Sequence, residues 1–171
     1  MPTLLRTVVC PVDFSAASAE ALTYAVSLAR EAEAHLTVVH VVDSLPDEPP
    51  ELARYNVKEY RRILAEGARK RLESLLPAHI RASLRPEILV TSGKAYQQIL
   101  KIAEERSAGV IVMGVHGRTP LDVFIFGSTA AQLVHNARCP VMTVRPSLMA
   151  AEAVAKEVAE AAASVPAVPG V

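Results

Sequence analysis

Residues 110–129 read V-I-V-M-G-V-H-G-R-T-P-L-D-V-F-I-F-G-S-T, and this stretch decides the fold. Residues 110–113 are continuously apolar, which is typical of a parallel strand buried on both faces. A helical pattern begins at Ser128, after a loop that carries three glycines. An α/β protein can hold phosphate in such a loop, because glycine allows close backbone approach and the first N–H groups of a helix have no partner inside it.

The glycine spacing differs from that of two better-known phosphate-binding loops. The chain has no G-x4-G-K-[ST] sequence, of which Ser92-Gly93-Lys94 is only a fragment, so it does not carry a P-loop. It also lacks G-x-G-x-x-G after the first strand, where a dinucleotide-binding fold would have it. The pattern that is present is G-x2-G-x9-G-S, formed by Gly114, Gly117 and Gly127-Ser128.

Apolar, strand-like runs alternate with helical patterns through the first 146 residues. The predicted strands are 4–10, 36–42, 84–91, 110–113 and 141–144, and the predicted helices are 16–34, 51–76, 95–106 and 128–136. This alternation predicts a doubly wound α/β fold, with a five-stranded parallel sheet in the order 3-2-1-4-5. Ligands of such sheets bind where the order changes direction, here at the ends of strands one and four. Asp13 follows the first of these strands, and Gly114 follows the second.

Composition limits the class of protein. The chain has 171 residues, enough for one domain with a substantial core, and 18 basic residues balance 18 acidic ones. A neutral chain lacks the concentrated basic surface that nucleic acids or anionic membranes require. No apolar run approaches the roughly 20 residues that span a bilayer. The first residues do not form the regions of a secretory signal, so we expect a cytoplasmic protein.

Two further features have simple interpretations. Cys10 and Cys139 are expected to be small buried hydrophobic residues. A zinc site formed by Cys10, His40 and His116 is the alternative, but these residues lack the close paired spacing of structural zinc ligands. Residues 147–171 are rich in alanine and are predicted to be a partly helical or disordered tail after a domain at 1–146. The alternative for the tail is a helix that packs on a partner subunit.

Several segments resemble the universal stress protein family. Besides the glycine loop they are V-D-F-S at 12–15, L-T-V-V-H-V at 36–41 and C-P-V-M-T-V-R at 139–145. The resemblance covers roughly residues 3–146 and implies a Rossmann-like domain that is usually a homodimer. By the same resemblance, the glycine signature implies membership of the branch of the family that binds ATP.

By this resemblance, a set of residues contacts the nucleotide, with ADP or AMP as alternatives to ATP. The set is Pro11, Val12, Asp13, Val41, Met113, Gly114, Gly117, Arg118, Gly127, Ser128 and Thr129. Asp13 corresponds to a carboxylate that contacts adenosine, and Val41 to a residue beside adenine. The chemistry agrees, because a carboxylate accepts hydrogen bonds from ribose hydroxyls and apolar side chains can enclose a base.

The phosphates are assigned by the same resemblance to the glycine loop. Gly114 and Gly117 bring backbone to the ribose and phosphates, while Gly127, Ser128 and Thr129 hold the β- and γ-phosphates. Hydroxyls beside a helix N-terminus suit an anion. Purely structural alternatives remain for these residues: Asp13 as a helix cap or turn residue, Ser128 as a helix N-cap, and the glycines as parts of a tight loop.

The interior of the loop bears on metal binding and catalysis. Arg118 is its only cation, whereas Asp122 is an anion in its middle. Asp122 is expected to point away from the phosphates; the alternative is Mg²⁺ held between it and the nucleotide. Phosphoryl transfer needs a positioned nucleophile and several cations. The sequence therefore predicts a nucleotide-dependent regulatory protein with slow or absent hydrolysis, and His116 is the alternative catalytic group.

Assembly is the last expectation from the sequence. The apolar segment 141–144 is predicted to be an edge strand that forms a homodimer contact, a region that family dimers often use. Protein partners beyond the dimer are not identified by the sequence. A second hypothesis is a nucleotide-free interaction module with the same fold and dimer, and a third is a slow ATPase or phosphotransferase.

Overall fold

The structure is a computed structural model that describes residues 5–42, 57–115 and 127–145. Helices and strands alternate along the chain, apart from two consecutive helices before the third strand. In chain order they are β1 (Thr7–Pro11), α1 (Ala16–Glu31), β2 (His35–Val42), α2 (Val57–Leu75), α3 (Ala78–Leu84), β3 (Glu87–Ser92), α4 (Ala95–Glu105), β4 (Val110–Gly114), α5 (Ser128–Asn136) and β5 (Val141–Val144).

The five strands form one sheet in the order β3-β2-β1-β4-β5, and every pair is parallel. This confirms the doubly wound fold and the strand order predicted from the sequence. The register places Cys10 beside Val38 and Gly114 beside Val144. The order changes direction between β1 and β4, so the carboxyl ends of these two strands adjoin the topological switch point.

Two apolar layers cover the two faces of the sheet. On one face Cys10 packs with Ala25 of α1 and Leu72 of α2. On the other face Val9 packs with Ile99 of α4 and Leu133 of α5. Successive side chains of a strand point to opposite faces, so β1 contributes to both layers. The central strands are buried on both faces, as their continuous apolar sequences predict.

The segment between α2 and β3 differs from the prediction. Strand three was expected to begin at Leu84, but residues Ala78–Leu84 form the short helix α3, and β3 begins at Glu87. Ile80 is buried, and Leu84, one helical turn further on, packs against the same core, so this apolar pair belongs to a helix face. Arg85 ends the helix in the left-handed conformation, with φ of 46°.

Most other boundaries lie close to the predicted ones. Helix α1 ends at Glu31 rather than at residue 34, and Glu33, with φ of 51°, turns the chain into β2. Within the described ranges no helix is long and apolar enough to cross a membrane. The predicted tail at 147–171 lies outside the described residues.

Candidate functional site

A pocket of about 250 Å³ opens at the carboxyl ends of the central strands. Described residues from β1, β2 and β4 and from the first turns of α1, α4 and α5 border it. They are Pro11, Val12, Asp13, Ser18, Val39, Val41, Ala95, Ile99, Met113, Gly114, Val115, Gly127, Ser128, Thr129 and Ala130. The pocket therefore lies at the switch point of the sheet, where ligands of doubly wound folds bind.

Nine of the eleven residues selected from the sequence line this one pocket. They are Pro11, Val12, Asp13, Val41, Met113, Gly114, Gly127, Ser128 and Thr129. Gly117 and Arg118 lie outside the described residues, as do His116 and Asp122. The fold thus brings together residues that are more than 100 positions apart in the sequence, from Asp13 to Ser128.

Six lining residues were not predicted from the sequence: Ser18, Val39, Ala95, Ile99, Val115 and Ala130. A signal was available for some of them. Val39 precedes Val41 by two residues and so shares its face of β2. Ala95 and Ile99 are four residues apart and so lie on one face of α4.

One part of the pocket wall is apolar. Val39, Ile99 and Met113 are all buried there and belong to the same hydrophobic cluster, against which Val41 packs. These side chains offer no hydrogen-bond partner. This wall is suited to a flat, weakly polar group rather than to a charge.

Asp13 supplies the carboxylate of the pocket and also begins a turn. Its Oδ1 accepts a hydrogen bond from the backbone N–H of Ser15 at 3.0 Å and one from the Ser15 hydroxyl. The N-cap of α1 is Ser15, because its hydroxyl accepts from the Ser18 N–H at 3.2 Å. Asp13 is thus a turn residue rather than the helix cap. A carboxylate has about four lone-pair sites, so the turn and a ligand contact are compatible.

The opposite side of the pocket is the N-terminus of α5. Gly127 is the N-cap and Ser128 is the first helical residue, so the interpretation of Ser128 as the N-cap is not supported. Glycine has no side chain that could accept from the first N–H groups of the helix. These groups carry the positive end of the helix dipole, and the hydroxyls of Ser128 and Thr129 lie beside them.

The two described signature glycines differ in their surroundings. A Cβ on Gly114 would lie 2.4 Å from the carbonyl carbon of Ala17, so this glycine lets α1 pack closely on β4. A Cβ on Gly127 would have no described heavy atom within 4 Å, and its φ of −56° suits any residue. Packing against the described residues therefore requires glycine at 114 but not at 127.

The described residues do not form a zinc site around Cys10. They contain no group of three histidine, cysteine, aspartate or glutamate side chains that could hold a metal ion. Cys10 is fully buried, and this burial raises the pKa of its thiol to about 12. His40 directs its Nδ1 atom to the carbonyl oxygen of Val12, at 2.7 Å.

The last strand forms one border of the sheet. Strand β5 is an edge strand of the sheet, and its neighbour in the sheet is β4. Met142 of β5 is 42% exposed, and Val134 of the neighbouring α5 is 52% exposed. This border therefore presents apolar side chains together with the polar groups of a strand edge.

Comparison with known proteins identifies the family of this fold and pocket. Residues 5–145 match the universal stress protein family. Universal stress protein MJ0531 of Methanocaldococcus jannaschii is 31% identical over 144 residues, which are 83% of this chain and 83% of that protein.

Solved structures show the same fold. Universal stress protein UspA from Lactobacillus plantarum has a TM-score of 0.68 and 26% identity, over 81% of this chain and 97% of that chain. A universal stress protein solved in complex with cAMP has a TM-score of 0.56 and 19% identity, over 83% of this chain and 98% of that chain. The family match covers most of the chain, and the sheet has the strand order predicted for this fold. The chain therefore belongs to the universal stress protein family.

Proposed function

We propose that this protein binds an adenine nucleotide, ATP with Mg²⁺ in the first place, and acts as a nucleotide-dependent regulator in a stress response. The observation that carries the proposal is the convergence of Asp13, the apolar residues around Val41, and the N-terminus of α5 on one pocket. An apolar wall, a carboxylate and a helix N-terminus match the base, the ribose and the phosphates of such a ligand.

The base is assigned to the apolar wall. Val39 and Val41 of β2 and Ile99 of α4 all line the pocket and belong to one hydrophobic cluster. Adenine is flat and loses little by leaving water on its faces, so burial between aliphatic side chains favours it. Asp13, at the end of β1, then accepts hydrogen bonds from the ribose hydroxyls.

The phosphates are assigned to the N-terminus of α5. Ser128 and Thr129 offer backbone N–H groups and hydroxyls, and the helix dipole adds a favourable potential for an anion. Gly127 leaves space for close backbone approach. We further propose that Gly117 and Arg118, which lie outside the described residues, contact the phosphates, and that Mg²⁺ binds together with the nucleotide. Asp122 belongs to the same loop and is proposed to point away from the nucleotide.

One relative supports the class of ligand. The universal stress protein solved in complex with cAMP holds an adenine nucleotide, and it has the fold of this chain. Its base, ribose and phosphate are the three groups for which the pocket described here has matching surfaces. Identity between the two chains is only 19%, so the pocket residues carry the proposal and the relative adds to it.

The described lining favours binding over catalysis. Among those residues Asp13 is the only ionisable side chain, and it is engaged with Ser15. Phosphoryl transfer needs cations and a positioned nucleophile. We therefore propose slow or absent ATP hydrolysis, so that the bound nucleotide persists and biases the interactions of the protein. The apolar edge at β5 supports the further proposal of a homodimer. We also propose that the protein acts in the cytoplasm.

The test is to purify the protein without added nucleotide, denature it in acid, and identify the released small molecules by chromatography and mass spectrometry. Stoichiometric ATP is the expected result and would also show that hydrolysis is slow. ADP or AMP would support the binding site and would direct turnover assays to His116→Ala and Asp122→Asn variants. The absence of any nucleotide, followed by no binding on titration with ATP and Mg²⁺, would overturn the proposal in favour of a nucleotide-free interaction module.

A further inference from the structure

The peptide group between Val12 and Asp13 is held at both of its polar atoms by side chains. The carbonyl oxygen of Val12 accepts from Nδ1 of His40 at 2.7 Å. The N–H of Asp13 donates to the hydroxyl of Ser18 at 3.3 Å. Since a peptide group is planar, holding its oxygen and its N–H fixes the orientation of the plane and with it the position of the Asp13 Cα, from which the side chain leaves the backbone.

The neighbouring peptide group ties this unit to the sheet. The N–H of Val12 donates to the carbonyl oxygen of Val39 at 2.8 Å, one position beyond the end of β1. Three hydrogen bonds thus hold the chain where it leaves the sheet: two are made with residues of β2 and one with Ser18 of α1. The position of Asp13 is therefore set by β2 and α1 as well as by its own strand.

The ring of His40 is itself held in place. The ring of Phe14 lies against it, with centroids 4.5 Å apart and planes at 44°. The guanidinium carbon of Arg71, on α2, lies 4.1 Å from the centre of the Phe14 ring. Phe14 has φ of 64°, an uncommon conformation for a residue with a side chain. The three side chains form a stack that limits how the imidazole can turn.

The proton on the imidazole can be assigned from its partner. A carbonyl oxygen only accepts hydrogen bonds, so Nδ1 of His40 must carry a proton. Nδ1 is therefore the donor of this hydrogen bond.

His40 does not line the pocket. It follows Val38 at a two-residue spacing and so lies on the face of β2 that packs against α1 and α2. Val39 and Val41 face the pocket from the other side of the strand. Any influence of His40 on a ligand must therefore pass through the backbone that it holds.

We propose that His40, supported by Phe14 and Arg71, is a positioning residue for Asp13 in the nucleotide pocket. The inference rests on the proposed function, because it assigns to Asp13 the contact with the ribose. According to this inference, a side chain on the opposite face of the sheet positions the backbone that carries the pocket carboxylate.

Two variants separate the hydrogen bond from the ring stack. His40→Phe keeps an aromatic ring against Phe14 and removes the donor. His40→Asn removes the ring but keeps an N–H donor near the position of Nδ1. We expect His40→Phe to weaken ATP binding by about three- to tenfold, the loss that one hydrogen bond represents, and His40→Asn to restore most of the affinity. Denaturation curves confirm that each variant is folded.

A double-mutant cycle tests whether His40 acts through Asp13. Asp13→Asn keeps the oxygen that accepts from Ser15 and removes the charge. In that background His40→Phe should change ATP affinity by less than about twofold, because the interaction that it positions is already lost. Equal losses in both backgrounds would mean a general effect on the fold and would overturn the inference.

A measurement without nucleotide decides the inference independently of the proposed function. Imidazole ¹⁵N spectra of the wild type should show a protonated Nδ1 on His40, and the Asp13 amide should exchange slowly with solvent. Exchange of that amide should accelerate in His40→Phe and slow again in His40→Asn. An Nδ1 atom without a proton, or an Asp13 amide exchange rate that is unchanged in His40→Phe, would overturn the inference even if the protein binds ATP. If the spectra and exchange rates are as expected but the protein does not bind ATP, only the proposed function is overturned.

Discussion

Gly114 lies so close to Ala17 that no side chain fits between them. A Cβ on Gly114 would lie 2.4 Å from the carbonyl carbon of Ala17 and 2.6 Å from the nitrogen of Ser18. These are backbone atoms of α1, and they cannot move aside as the end of a flexible side chain can. One glycine of the G-x2-G-x9-G-S signature is therefore required by helix packing, before any ligand is considered.

This relationship predicts the effect of Gly114→Ala. The new methyl group would force α1 away from β4, so the free energy of unfolding should fall by about 1–3 kcal/mol, as for other overpacked sites. Urea denaturation followed by circular dichroism measures the change. A variant as stable as the wild type would mean that α1 and β4 are further apart than the structure places them.

Gly67 offers the opposite case and a control. It lies within α2, is exposed, and a Cβ there would have no described heavy atom within 4 Å. Gly67→Ala should raise the free energy of unfolding by about 0.5–1 kcal/mol, because alanine loses less backbone entropy in a helix. Its ATP affinity should equal that of the wild type, since Gly67 is remote from the described pocket lining. A loss of stability would indicate that α2 is not helical at this residue.

The ion pair between Glu87 and Arg106 predicts a pH dependence of stability. Both carboxylate oxygens accept from the guanidinium, at 2.7 and 2.8 Å, and these hydrogen bonds to Arg106 hold the pKa of Glu87 below its ordinary value of 4.5. A carboxyl group with a lowered folded-state pKa stabilises the protein above its unfolded-state pKa, and the stabilisation is lost as the pH falls through the folded-state value.

Glu87→Gln tests this linkage. The variant should be less stable than the wild type at pH 7, by a small amount because both partners are partly exposed. The difference should shrink below pH 4.5, as the wild-type carboxyl group takes up its proton. Denaturation curves from pH 7 to pH 3 measure it. A difference that stays constant across this range would show that the ion pair does not contribute.

The two cysteines should differ in reactivity. Cys10 is fully buried, which raises the pKa of its thiol to about 12, whereas Cys139 is half-buried and desolvation raises its thiol pKa as well. The thiolate is the reactive form. A disulfide reagent at pH 8 should therefore modify Cys139 slowly and Cys10 only after unfolding. Mass spectrometry of labelled peptides identifies the order, and early labelling of Cys10 would contradict its burial.

The sequence predicts the sheet better than it predicts the pocket lining. Alternating apolar runs and helical patterns predict a parallel sheet with right-handed crossovers, and 3-2-1-4-5 is a common strand order of such sheets. The start of strand three was wrongly placed at Leu84, and helix α3 was not predicted, because two apolar residues four positions apart are too few to separate a short helix from the start of a strand.

The pocket shows a similar limit. Asp13 and Gly127 are recognisable because carboxylates and glycines stand out at the ends of apolar strands and loops. Ser18 and Ala130 have no such signal: they line the pocket because the first turns of α1 and α5 come to the same edge of the sheet. The hydrogen bond from His40 to Val12 also depends on side-chain geometry that no spacing reveals.

The central claim is that the pocket between Asp13 and the N-terminus of α5 binds ATP. Calorimetric titration with ATP and Mg²⁺ of the wild type, Gly127→Val and the control Gly67→Ala tests it most directly. The described surroundings of Gly127 leave room for a side chain, so the Gly127→Val variant should fold normally. The wild type and Gly67→Ala should bind one ATP per chain with equal affinity, and Gly127→Val should bind more than about tenfold less tightly. Equal affinity in a folded Gly127→Val variant, or no saturable binding by the wild type at millimolar ATP, would contradict the claim.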